Sequence, residues 1–199
     1  MAVRRSSARP SVPSAEDSKV QVPRLNKDPI WSLRPWPIEI EVAGTVITVP
    51  PMYATDWLYY LMQEQPDLDA LATDAIPDLE ILLYDGELDL NKFYETVLEV
   101  ISCAAACPWW VAMRLISVAR YQWNVLGPDL LQRGANPNLV SLSLWLDTLL
   151  VAIFSAIDPK KAMMFTVQLE AVPDLLKDPD ADPFDEMEMD TGAFLSMSG

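Results

Sequence analysis

Ile38-Glu39-Ile40-Glu41-Val42-Ala43-Gly44-Thr45-Val46-Ile47-Thr48-Val49 decides the fold. The first five residues alternate apolar and acidic, Ala43-Gly44 makes a two-residue turn, and five β-formers return. That loop length pairs Val42 with Thr45, Ile40 with Ile47 and Ile38 with Val49. Ile38, Ile40, Val42, Ile47 and Val49 then share one face, and Glu39, Glu41, Val46 and Thr48 the other. A lone hairpin is only marginally stable in water, so the apolar face needs a cover. Pro50-Pro51 ends the second strand, and everything beyond has the texture of helix. The sequence therefore predicts a mainly α protein: a helical bundle with an N-terminal β-hairpin packed on it.

Thr55 or Asp56 can cap a first helix running to about Gln65. Pro66 and the acids after it mark a loop or a short helix. Pro77 suits the first turn of another short helix, ending near Asp85-Gly86. Asp89 can cap a helix whose stripe is Leu90, Phe93, Val97, Ile101 and Ala104. Pro108 starts a helix from Trp109 to about Leu126, apolar almost all round, which Gly127-Pro128 is expected to end. A short helix follows to Arg133-Gly134, then an Asn136-Pro137-Asn138 turn. The apolar helix Leu139 to Ile157 comes next, and Asp158-Pro159 opens the last, Lys160 to about Ala171.

Charge divides the chain further. Of 199 residues, 14 are Lys or Arg and 29 are Asp or Glu, for a net charge of −15. Residues 1–28 hold six basic and three acidic residues among many Ser and Pro. Residues 29–170 hold seven basic and 18 acidic, and 171–199 one lysine and eight acids. This predicts a flexible basic tail over 1–28, a body over 29–171 and a flexible acidic tail over 172–199. Such acidity argues against a nucleic-acid partner, whose phosphates need neutralising.

The chain has no histidine and two cysteines. Imidazole bases and ligands are therefore excluded, as is a four-thiolate zinc site. Cys103 and Cys107 lie four apart on one predicted helical face, as small buried thiols would. The acids around Asp178 to Glu186 alternate like a calcium loop, but Pro183 stands where Gly is needed and Met189 where Glu is needed. Asp147 lies at the centre of the longest apolar stretch, where a charge costs at least ~2.5 kcal/mol in a bilayer. It reads instead as a member of a buried ion pair or cap, with Arg114 and Arg120 on the preceding helix. No Gly-rich phosphate loop or Gly-x-Ser-x-Gly elbow is present. The expectation is no enzyme, cofactor, metal or membrane span. What stands out is apolar: Trp109, Trp110, Trp123 and Trp145 on the most apolar helices, and Met163, Met164 and Phe165 on the last. Aromatic and Met-rich surfaces accept partner helices.

The order of Trp36-Pro37-Ile38-Glu39-Ile40-Glu41, Pro50-Pro51-Met52-Tyr53-Ala54-Thr55-Asp56-Trp57-Leu58, Pro108-Trp109-Trp110-Val111-Ala112-Met113-Arg114, Ser141-Leu142-Ser143-Leu144-Trp145-Leu146-Asp147 and Asp158-Pro159-Lys160-Lys161-Ala162-Met163-Met164-Phe165 resembles the tail assembly chaperones of long-tailed phages infecting actinobacteria. The resemblance covers about residues 36–170. It implies a non-enzymatic protein of the host cell cytoplasm that binds the hydrophobic, helical tape measure protein, keeps it soluble and is missing from the mature virion. It also implies self-association or association with a longer, frameshifted form. The family supplies no standard set of binding residues. From the residues themselves, the expected groove is Trp57 and Tyr60 on the first helix with Met163, Met164 and Phe165 on the last. Two other readings stay open: a permanent tail or virion component, and an acidic nucleic-acid mimic acting on a host protein. The mimic draws on the 12 acids and single lysine between Asp56 and Glu99.

Overall fold

A computed structural model describes residues 35–173 and Leu176. The predicted flexible tails lie outside the described residues, except for Val172, Pro173 and Leu176. Strands β1 (Ile38–Val42) and β2 (Thr45–Val49) are followed by helices α1 (Ala54–Leu61), α2 (Leu68–Ala75), α3 (Pro77–Tyr84), α4 (Leu90–Ala105), α5 (Trp109–Tyr121), α6 (Trp123–Gln132), α7 (Leu142–Ala156) and α8 (Pro159–Glu170). Among the described residues the protein is mainly helical with one antiparallel hairpin.

The hairpin has the predicted register, with Ile40 opposite Ile47 and Ile38 opposite Val49. Ala43 and Gly44 both have positive φ, 51° and 80°, as a primed two-residue turn requires. The apolar face is buried, and β1 lies against α4. Helix α7 packs on α1, α4, α5 and α6, and α5 on α1, α4, α6, α7 and α8. These two helices are apolar round most of their surface because they are covered on most sides. Trp145, Leu146, Leu149 and Leu150 of α7 are completely buried.

Several boundaries differ from the sequence reading. Helix α1 starts at Ala54, with Tyr53 as the residue before it. Its first N–H groups need no side-chain cap, because Ala54 and Thr55 donate to the carbonyls of Val140 and Pro137 at 2.9 and 3.0 Å. Asp56, inside the helix, accepts from the Tyr53 N–H at 2.8 Å. α1 stops at Leu61, and the stretch after Pro66 is the helix α2, whose Asp67 cap accepts from the Ala70 N–H. α7 begins at Leu142, because Ser141 caps it and Leu139 is left outside.

The largest correction concerns the helix expected to run to Leu126. It breaks at Gln122, and Gly127-Pro128 lies inside α6. The Gln122 carbonyl accepts from the N–H groups of Val125 and Leu126, so a new helix starts there. Pro128, the sixth residue of α6, has no N–H to donate to the Asn124 carbonyl one turn back. Gly127 is a point of close approach: a Cβ there would lie 3.0 Å from Trp123 Cε2. Likewise α4 ends at Ala105, where Ala106 turns left-handed at φ 54°, so Cys107 lies beyond the helix that carries Cys103.

Candidate partner-binding surface

Helix α8 is held at both ends and along one side. Asp158 accepts from the N–H groups of Lys160 and Lys161, both at 3.0 Å, and Pro159 occupies the first turn. Ala162, Phe165 and Leu169 form the inward stripe. Phe165 meets Phe154 of α7 edge to face, with ring centroids 6.0 Å apart. At the far end the Arg114 guanidinium of α5 donates through Nη1 to the carbonyls of Gln168 at 3.0 Å, Leu169 at 3.3 Å and Ala171. A cation on the last carbonyls of a helix satisfies orphan acceptors and complements the helix dipole.

Fixing that side inward turns a second apolar stripe outward. Met163, Met164 and Val167 are 72, 57 and 67% exposed. The spacings i, i+4 and i, i+3 make them one continuous patch. Lys160 and Lys161 stand at its beginning, and exposed Val172 follows its end.

The expected groove narrows to this helix. Trp57 is 2% exposed and Phe165 5%, so both are core side chains that no partner reaches without unfolding the body. Trp57 borders a cavity of about 20 Å³, with room for one water-sized molecule, beside Trp36, Met52, Ala104 and Leu142. Tyr60 is half-buried and engaged: its hydroxyl donates to Asp74 Oδ2 at 2.8 Å. That bond, with desolvation and the Asp74 charge, pushes its pKa up to about 12. Tyr94 of α4 donates in the same way to Asp69, at 2.8 Å. Two tyrosine–carboxylate bonds thus tie α2 to α1 on one side and to α4 on the other. Only Met163 and Met164, of the five expected contact residues, face outward. Val167 completes their patch; the i, i+4 step from Met163 was its signal in the sequence.

The tryptophans divide similarly. Trp145 is core, Trp109 and Trp110 are half-buried in an edge-to-face pair, and Trp123 is exposed beside Gly127. Arg120 caps the end of α1 through the Gln63 carbonyl and lies 4.5 Å over the Tyr121 ring. Arg114 and Arg120 therefore both act as caps between helices. Cys103 is exposed, against expectation, because its side of α4 is not covered; Cys107 is buried. Desolvation, reinforced by Asp147, pushes the Cys107 thiol up to about 12, and desolvation with Glu99 raises Cys103. Both are held protonated, opposite to the tuning of a nucleophilic thiol.

Among the described residues no group of three or more His, Cys, Asp or Glu could hold a metal ion. Among them, too, no single helix is long and apolar enough to cross a membrane; α4 and α5 qualify together but bend by 70° at their junction. No family model, curated protein or solved structure matches the chain.

Proposed function

We propose that this protein is a tail assembly chaperone that holds the tape measure protein of its phage in solution, with the outer face of α8 as the contact. The observation that carries the proposal is the patch of Met163, Met164 and Val167, presented on a helix clamped at both ends. The sequence resemblance supplies the identity of the client, and an acidic body accords with it. Burying each of the three side chains contributes roughly 1.5–3 kcal/mol before association costs. Methionine adapts its shape, which suits a client offering many similar apolar helical segments rather than one fixed epitope. The 18 acids of residues 29–170 repel other copies of the complex and attract basic stretches of the client.

The test is co-expression with the long helical tape measure protein of the same genome, followed by capture through a tag on this chain. Met163→Asp with Met164→Asp should abolish co-capture and send the client to the insoluble fraction. Because both side chains are exposed, urea unfolding should stay within about 0.5 kcal/mol of the parent. Undiminished capture by the folded variant rejects the α8 surface. Recovery of the chain in stoichiometric amounts from purified virions would make it a tail component instead.

A further inference from the structure

Helix α3 carries apolar residues on two faces. Leu79 and Leu82 are buried, as is Ile76 just before the helix, and α3 packs on α2 and α4 through that side. Ile81 and Tyr84 lie on the other face, 55 and 81% exposed. Their i, i+3 spacing sets them side by side on the helix surface. Gly86, left-handed at φ 73°, ends the element directly beyond them. A two-turn helix with a second apolar face offers more than the core of the body uses.

The rim of this face is acidic. Asp78, Asp85 and Glu87 are exposed and Glu80 is half-buried. They belong to the stretch Asp56 to Glu99, whose 12 acids share one lysine. That lysine, Lys92, pairs with Glu95 of its own helix at 3.1 Å. Residues 100–173, by contrast, hold four acids and five cations. Arg114 and Arg120 are engaged on the carbonyls of Gln168 and Gln63, and Arg133 on Asp129. Among the described residues no ion pair includes Asp78, Glu80, Asp85 or Glu87. Charge that serves solubility alone has no reason to gather in one half of the body. A field of one sign around an apolar face selects a partner of the other sign.

We propose that the outer face of α3 docks a cationic amphipathic helix of a partner protein. The partner's apolar stripe lies on Ile81 and Tyr84, and its Lys or Arg residues meet Asp78, Asp85 and Glu87. A convex face of two turns suits a helix, whose side-chain ridges fit the grooves of another helix. The exposed Tyr84 ring adds a surface on which an arginine stacks. The same rim repels nucleic acid, whose phosphates need cations. This face neither needs nor supplies the α8 contact, since α8 packs on α5 and α3 on α2 and α4.

Titrating the full-length purified chain against a dye-labelled peptide tests this. The peptide has about 18 residues of Leu, Arg and Ala, with leucines at i, i+3, i+4 and i+7 spacing. Fluorescence anisotropy should show saturable binding that weakens as salt is added. Ile81→Ser with Tyr84→Ser should weaken it by about tenfold or more, and Asp85→Asn with Glu87→Gln severalfold, both with unchanged urea midpoints. Glu39→Gln with Glu41→Gln removes as much charge from the exposed face of the hairpin and should leave affinity within about twofold. Equal affinity of the parent and the Ile81, Tyr84 variant, or equal weakening by both charge pairs, overturns the docking face. A parent dimer that the Ile81, Tyr84 variant dissolves assigns the face to a second copy and overturns it equally. So does peptide binding that is lost in Met163→Asp with Met164→Asp and kept in the α3 variants. Tape measure capture undiminished by that α8 variant would defeat the proposed function while leaving the α3 face standing.

Discussion

Replacing Arg114 with Met isolates the clamp that orients α8. Methionine keeps most of the apolar stem packed on α5 and removes the guanidinium. One Nη1 carries two hydrogens shared among three carbonyls, those of Gln168, Leu169 and Ala171, so the bonds are not three independent ones. A hydrogen bond to a charged group contributes ~1.5–3 kcal/mol, and leaving the carbonyls without a partner sets the loss at about 2–4 kcal/mol. What remains is the burial of Phe165 and Leu169, roughly 1.5–3 kcal/mol each, with little from Ala162. The clamp and the apolar contact are therefore of similar size, and α8 without the clamp opens locally. Hydrogen exchange read by mass spectrometry should show the opening constant of residues 159–171 rising by about 30- to 1,000-fold, since each 1.4 kcal/mol is a factor of ten. Peptides from α7 should change much less. Arg114→Lys should restore part of the protection, because an ammonium supplies charge without the planar fork. Unaltered protection of α8 in Arg114→Met, or an equal loss throughout the body, would refute the clamp.

Tyr60→Phe and Tyr94→Phe should each cost about 1 kcal/mol in urea unfolding, as each loses one hydrogen bond to a carboxylate. The Tyr60 folded-state pKa of about 12 lies above the ordinary 10, so its contribution is complete below pH 10 and disappears as pH rises through 12. The stability gap between parent and Tyr60→Phe should accordingly close over that interval; a gap independent of pH there would contradict the Asp74 bond. Ala43→Asn should raise stability by about 0.5–1 kcal/mol, because asparagine tolerates the left-handed φ of 51° better than alanine; a destabilised hairpin would speak against that turn. Iodoacetamide at pH 8 should modify Cys103 slowly and leave Cys107 untouched until the protein unfolds; native labelling of Cys107 would contradict its burial.

The hairpin was legible to the residue, because a period of two, a two-residue turn and one apolar face admit a single register. Asp89 and Asp158-Pro159 were equally plain, since a cap acts within its own turn. The break at Gln122 was not, because no proline or glycine stands there, and the Trp123–Gly127 contact lies wholly inside the helix that follows it. Of the expected groove, Met163 and Met164 face outward while Trp57 and Phe165 are buried. Helix α8 carries two apolar stripes, Ala162, Phe165, Leu169 and Met163, Met164, Val167, and the sequence does not say which turns inward. Phe154 and Arg114, 40 residues apart along the chain, make that choice by meeting Phe165 and the α8 carbonyls. Trp57 looked available for the same reason: the hairpin, α4 and α7 that surround its cavity come from distant segments.

Site-specific photo-crosslinking tests the central claim most directly. Benzophenone-bearing phenylalanine would replace Met164, or, as a control, Val46, which is equally exposed on the outer face of the hairpin. Each full-length chain would be irradiated while co-expressed with the tape measure protein. If α8 holds the client, position 164 yields a tape measure adduct and position 46 does not. No adduct from 164, or equal adducts from both positions, would show that the client is not held on α8.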